Sequence, residues 1–239
     1  MIDLHCHILP ALDDGALSVE DSVAMARQAQ VDGIQAVCAT PHIRHDHDVH
    51  IAEIAPRVAG LQRRLDAEKV RVRILPGGEV AQTAAGSLTD DELHRVSLGG
   101  AGGWVLLEPA PGPLGVELER LAERLAERGV LTIVAHPERH AGVDLEERLA
   151  ALAERGCLIQ WTAEFVARAK PEDLVLRYAR DGLVHLLASD AHSSLAGRPV
   201  ALSGAFARLR EVCPAEWVDW MADQAPRRIV AGQALTPPW

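Results

Sequence analysis

The chain has 239 residues, 48% of them apolar, and a formal charge of −10 at neutral pH. That length buries a full core, and no repeat, low-complexity run or composition shift marks a boundary, so residues 1–239 read as a single domain. The acidic balance, with no stripe of Lys and Arg, excludes a nucleic-acid footprint, and no apolar run approaches a membrane span.

The sequence opens MIDLHCHILPALDDG, with its first histidine four residues after Met1, which leaves no room for a cleaved leader and makes the cytoplasm the expected location. In a strand, His5 and His7 share one face while Ile2, Leu4, Cys6 and Ile8 share the other. Two adjacent imidazoles above an apolar strand suit a metal ion, although His-x-His alone is common to many metallohydrolases. Ser18 with Asp21 three residues on is a capping-box pattern and predicts a helix to about Asp32, closed by Gly33. IQAVCATPH follows as a buried strand. Leu114, Leu118, Leu121 and Leu125 form one helical stripe, ended by Gly129 before VLTIVAH. Leu145, Leu149 and Leu152 form another, ended by Gly156 before CLIQWT, and a further helix ends at Gly182 before LVHLLASDAH. Helix, glycine and strand in repeated order predict an α/β fold with a parallel sheet, and at this length a barrel rather than an open sheet.

Active sites of α/β barrels lie at the carboxyl ends of the strands. His42 ends AVCATPH, Glu79 ends VRILPGGE, Glu108 ends WVLLE, His136 ends LTIVAH, and Asp190 and His192 end LVHLLASDAH. With His5, His7 and Asp14 these make nine candidate metal ligands, five imidazoles and four carboxylates. That exceeds the needs of one tetrahedral zinc, and the lack of thiolate points to a polynuclear cluster of Mn, Fe or Zn. Ions about 3.5–4 Å apart clamp a phosphoryl group and lower the pKa of bound water, which is the chemistry of hydrolysis. The four cysteines, Cys6, Cys38, Cys157 and Cys213, contain no Cys-x-x-Cys pair and read as buried reduced thiols.

DLHCHILPALDDG, ATPH, GGE, LLE, AHPER and SDAH, in that order, resemble the successive motifs of the PHP (polymerase and histidinol phosphatase) superfamily. Within it they are most similar to the CpsB/YwqE-type bacterial protein-tyrosine phosphatases of capsule and exopolysaccharide loci, and the resemblance runs from Met1 to APRRIV. It implies a distorted, TIM-like (β/α)7 barrel carrying three ions, usually Mn2+. His5, His7, Glu79 and Asp190 would surround one ion, Glu79, Glu108 and His136 a second, and Asp14, His42 and His192 a third. It further implies that Arg139 and Arg198 bind phosphate, and that the substrate is a phosphotyrosine protein such as a bacterial tyrosine kinase of capsule or exopolysaccharide synthesis. Planar guanidinium forks suit phosphate oxygens independently of the resemblance. Pro109 after Glu108, His140 after Arg139 and Ala225 before Pro226 depart from the usual pattern; none removes a ligand, and substrate preference is the property they put in question.

Four other readings compete. Cys38 and Arg44 satisfy Cys-x5-Arg, the spacing of cysteine-dependent phosphatases, but CATPHIR has no glycine and contains Pro41, which lacks the N–H such a loop needs. An amidohydrolase with a carboxylated lysine needs Lys at a strand end, whereas Lys69 and Lys170 fall in helical or loop context. Histidinol-phosphate phosphatase is the alternative within the superfamily, and a metal-stabilised binding module without turnover is the alternative of another class. His45, His47 and His50 read as a solvated loop, and His94, His140 and His185 receive no role, although His140 is the nearest residue to a general acid.

Overall fold

The computed structural model describes residues 1–140 and 142–239. Its strands are β1 (Ile2–Cys6), β2 (Ala36–Ala39), β3 (His42–Ile43), β4 (Arg73–Pro76), β5 (Glu79–Ala81), β6 (Trp104–Glu108), β7 (Leu131–Ala135), β8 (Leu158–Thr162) and β9 (Leu186–Ala188). All pairings among them are parallel: β1 to β2 to β4 in one sheet, and β3, β5, β6, β7, β8 and β9 in succession in the other. The two sheets are continuous along the chain. IQAVCATPH, read as one strand, is interrupted at Thr40–Pro41 because Pro41 offers no N–H to the ladder, and β4 passes into β5 across Gly77–Gly78. A Cβ at Gly78 would come to 3.0 Å from both Ile43 and Val96, so glycine eases the close packing at this crossing.

Closure comes from β1 and the end of β9. Asp190 N–H donates to His5 O at 2.8 Å, His7 N–H donates to Ala191 O at 2.9 Å, and Cys6 bridges Ala191. Among the described residues, seven strand paths therefore form a closed parallel (β/α)7 barrel, as expected. The strands are buried on both faces, which is why Trp104–Leu107 and Ile133–Ala135 read as continuous apolar runs.

Helices α1 (Val19–Val31), α2 (Ile51–Ala67), α3 (Gln82–Ala85), α4 (Asp90–Val96), α5 (Val116–Glu127), α6 (Leu145–Glu154), α7 (Ala163–Ala167), α8 (Leu174–Arg180), α9 (Ser203–Arg210), α10 (Ala215–Asp219) and α11 (Ala225–Val230) lie between and after the strands. Helix α1 starts where predicted, with Ser18 Oγ accepting from Asp21 N–H at 3.2 Å. The reciprocal half of the box is missing, because the Asp21 carboxylate turns instead to Ser193 and Ser194. Leu118, Leu121 and Leu125 are buried on α5, and Leu114 is buried just ahead of it. Gly129 and Gly156 take φ of 78° and 79° with open space where a Cβ would sit, so conformation rather than room selects glycine there. Between α10 and α11 a π-helical turn, Trp220–Gln224, absorbs the hydrogen bond that Pro226 cannot make.

At the amino ends of β8 and β9, Trp239 Nε1–H donates to Gly182 O at 3.0 Å and its ring stacks on His185 at 5.9 Å. Burial pushes the His185 pKa down to about 4, and its Nδ1 accepts from Ile159 N–H at 2.9 Å, so this histidine is a neutral core group. No helix among the described residues is long and apolar enough to cross a membrane.

Candidate metal centre

Parallel pairing brings the carboxyl ends of the strands to one mouth, and the polar residues that ended the apolar runs meet there. Strand β1 stops at Cys6, yet the alternation holds through the next residue: His5 and His7 present Nε2 atoms 3.2 Å apart while Cys6 is buried between them. Two donors each about 2.1 Å from one ion, at right angles, stand about 3 Å apart, so this spacing suits a shared cation.

Glu79 occupies the middle. Its Oε1 is 2.7 Å from His136 Nε2, and its Oε2 is 3.3 Å from His5 Nε2, 3.2 Å from His7 Nε2 and 3.0 Å from His42 Nδ1. Register explains the last contact, since His42 on β3 pairs directly with Glu79 on β5. Glu108, at the end of β6, reaches within 3.8 Å of His42 Nδ1. Asp14 Oδ1 lies 3.4 Å from His42 Nε2 and 3.5 Å from His192 Nε2, and Asp190 Oδ1 lies 3.4 Å from His5 Nε2. All nine sequence-predicted ligands thus converge. Their donor atoms fall into four overlapping sets: His7, Asp14, His42 and His192; His5, His136 and Asp190; His5, His7 and Glu79; and His42, Glu79 and Glu108. Here His136 groups with His5 and Asp190, while His42 joins the Asp14 side to the Glu79 side.

The donor atoms fit divalent cations. Glu79 Oε2, Asp190 Oδ1, His42 Nδ1 and His136 Nδ1 are buried without a hydrogen-bond partner among the described residues, and a buried polar atom left so costs about 1–3 kcal/mol. The charges say the same. Burial pulls the His7 pKa down, but the hydrogen bond to Asp13 and the neighbouring Glu79 carboxylate outweigh it and lift it to about 10. His5 is likewise raised, its burial overcome by the charges of Glu79 and Asp190. Burial opposes ionisation of Glu79, yet the charge of His5, the hydrogen bond with His136 and the nearby His42 ring hold it well below the usual carboxylate range. A pocket that makes imidazoles retain protons demands positive charge, which metal ions supply. His192 is the counterpart, kept down at about 4 by burial and by the charge on His7, and so neutral as a ligand must be.

Supporting groups fix the outer nitrogens. His7 Nδ1 is 2.7 Å from Asp13 Oδ2, and His5 Nδ1 is 3.0 Å from Gln160 Oε1. Asp13 also accepts from Gly15 and His42 N–H at 3.0 Å each; burial pushes its pKa up, but His7 and these donors outweigh that and bring it to about 2. Beneath them Asp3 Oδ1 accepts from Ser189 N–H at 3.0 Å, tying β1 to the segment after β9, and burial pushes its pKa up to about 6. Sequence reasoning missed these three. Asp13 stood beside Asp14 in the same motif, and the only trace of Gln160 is an amide within a strand that has no ionisable end. Because a ligand-orienting partner is worth about 10–100-fold in metal affinity or activity, Asp13→Asn is expected to lower both by that factor. Metal titration and kcat/KM on the same preparation measure it, and unchanged values would show that His7 needs no such orientation.

Two further features mark the site. His136 and Asp190 adopt φ of 32° and 49°, left-handed values rare for residues with a Cβ. Arg139 pairs with Asp190 Oδ2, and Arg198 places Nη2 3.1 Å from the same oxygen while its Nε–H donates to Asp190 O at 2.7 Å. The loop carrying Arg198 is pinned at both ends, by Asp21 on Ser194 N–H at 2.8 Å and by Asp32 on Leu202 N–H at 2.6 Å. Above the cluster lies a cavity of about 420 Å³ lined by Asp14, His42, Arg44, Glu108, Arg139, His192 and Arg198. Cations over a ring of ligands form a seat for an anion.

The residues set aside in the sequence resolve individually. Cys38 is fully buried and burial pushes its thiol up, so it is no nucleophile, while Arg44 reaches the cavity and pairs with Glu108 at 3.3 Å. His140 is buried, its pKa lowered by that burial, and its Nδ1 hydrogen-bonds to Gly112 O at 2.9 Å. His47 places its ring 4.9 Å from that of His42, nearer the centre than a solvated loop implies.

A family model for capsular polysaccharide synthesis, CpsB/CapC, matches residues 1–231. The tyrosine-protein phosphatase YwqE of Bacillus subtilis (strain 168) is 36% identical over 202 residues, spanning 81% of this chain and 78% of that protein. The putative tyrosine-protein phosphatase CapC of Staphylococcus aureus is 28% identical over 213 residues, 86% of this chain and 82% of that one. Among solved structures, those of YwqE from Bacillus subtilis and CpsB from Streptococcus pneumoniae, metal-dependent tyrosine phosphatases, include a chain matching with a TM-score of 0.87 at 30% identity over 100% of both chains. Motif order, barrel and nearly complete coverage agree, and the chain belongs to the CpsB/CapC family.

Proposed function

We propose that this chain is a metal-dependent protein-tyrosine phosphatase whose residues 1–239 act as one catalytic unit in the cytoplasm. Its substrate is a phosphotyrosine protein, a bacterial tyrosine kinase of capsule or exopolysaccharide synthesis. The observation that carries the reading is the buried Glu79 carboxylate set among four imidazoles beneath Arg139 and Arg198. His5, His7, Asp14, His42, Glu79, Glu108, His136, Asp190 and His192 would hold the ions, three Mn2+ in our reading, with Glu79 shared between two. Such ions supply Lewis acidity to the phosphoryl oxygens and a lowered pKa to water.

The chain's own groups supply position. Arg139 and Arg198 release Asp190 in part to grip the phosphate, their planar forks matching its oxygens. Asp13 and Gln160 keep His7 and His5 turned inward. His140, the general acid the sequence suggested, is not free to protonate the leaving group, because it is held by Gly112 O and its pKa is depressed. A tyrosyl group departs as a phenolate of pKa about 10 without that help, whereas a far more basic alkoxide requires it.

The reading is tested on Mn2+-loaded protein across a pH series. We expect kcat/KM for phosphotyrosine peptides to exceed that for phosphoserine peptides and histidinol phosphate by about a hundredfold or more. Faster turnover of histidinol phosphate would establish the alternative within the superfamily. Full metal loading without turnover of any aryl phosphate would leave a binding module.

A further inference from the structure

We infer that a groove beside the metal centre, reached past Arg139 and Arg198 and walled by Phe165, holds the aromatic ring of an aryl phosphate; the inference rests on the phosphatase reading. The groove encloses about 380 Å³ and shares both arginines with the cavity above the cluster. A phosphate held by the two guanidiniums therefore has this space next to it. Six of the seven strand paths contribute a metal-ligand candidate at or just beyond their carboxyl ends; β8 contributes none, and the groove lies along its end at Thr162. That sector of the mouth is left for substrate.

Its surface suits a ring. Phe165, on α7 directly after β8, is 48% exposed, a large apolar side chain left open at a cleft. It does not hang free, for its ring stacks on buried Trp161 at 6.1 Å, and Trp161 packs on Tyr178 at 5.8 Å and donates its Nε1–H to Leu183 O. Binding thus meets a preformed aromatic face and orders little else. Thr162, 3% exposed on the groove floor, has a hydroxyl with no partner among the described residues. Arg168 is paired with Glu164 at 2.6 Å, while Glu138 and Asp173 complete a largely charged lining in which Phe165 is the one apolar wall.

Size and connection rule out two other openings that touch the centre. An apolar cavity of about 150 Å³ accepts benzene, and the space by Gln82, Pro109 and Pro111 measures only about 60 Å³. A larger one of about 550 Å³ adjoins the centre only through Arg44, which is committed to Glu108 and Asp46.

The experiment compares phenylphosphonate with methylphosphonate, two anions that are not hydrolysed and share a head group, by calorimetry on metal-loaded protein. Wild type is expected to bind the phenyl compound about tenfold tighter. Phe165→Ala should reduce that preference to about twofold, and Phe165→Tyr should restore it, with circular dichroism confirming the fold of each. Equal affinity in wild type, no binding of phenylphosphonate, or a preference that survives Phe165→Ala overturns the groove. Turnover is scored separately. A protein that keeps the phenyl preference but hydrolyses no phosphomonoester loses the phosphatase reading, whereas hydrolysis of phosphotyrosine indifferent to Phe165 loses only the groove.

Discussion

Glu79→Gln is expected to lower kcat/KM for a phosphotyrosine peptide by about a thousandfold or more, the largest single-residue effect in the molecule. The amide preserves the size of the side chain and leaves the barrel intact, so the loss reports charge. Glu79 lies within 3.3 Å of four imidazoles, and with a neutral amide there the donors on either side no longer face a common negative charge. Removing one preorganised group that stabilises developing charge already costs about 10²–10³, and in the proposed centre Glu79 would serve two ions. Metal content should fall in parallel. A loss below about tenfold with full metal content would remove Glu79 from the centre of the mechanism.

Stripping the metal should have a second large effect, on the fold as well as on turnover. Chelation is expected to abolish activity and Mn2+ to restore it, with about three equivalents of metal per chain after reconstitution. Less than one equivalent would refute a polynuclear centre. Stability should follow, since a ligand at about a thousand times its dissociation constant adds about 4 kcal/mol to the folded state. For a protein of this size that is a rise in Tm of roughly 10 °C. Part of it comes from giving partners to buried atoms such as Glu79 Oε2 and Asp190 Oδ1. Calorimetry of the stripped and loaded forms measures it, and identical melting would show that the cluster folds without strain in the absence of ions.

What could be read from the sequence follows a physical division. A period of two placed His5 and His7 together, and apolar runs ending in His, Asp or Glu marked one rim, because strand direction and burial are written into residue order. Register was not so written. Nothing local shows that His42 lies opposite Glu79, or that the grouping of donors puts His136 with His5 and Asp190. Groups acting at one remove were least visible: Gln160 is neutral, Asp13 sits beside a more exposed aspartate, and Asp21 looked like a helix cap while its carboxylate holds a loop over a hundred residues away. Strand breaks at Pro41 and Gly77–Gly78 follow from residue type once the barrel is known.

The left-handed backbone at His136 and Asp190 sets a course for laboratory evolution. Each such residue costs about 1–3 kcal/mol that glycine would largely relieve, and proteins generally retain room for stabilising change near their active sites. Libraries screened for heat resistance alone, on protein stripped of metal, will therefore enrich changes at these two positions, and such winners will be better-folded chains with a candidate ligand missing. Thermal selection on this scaffold runs against its chemistry, and only a screen that scores turnover alongside survival will keep both.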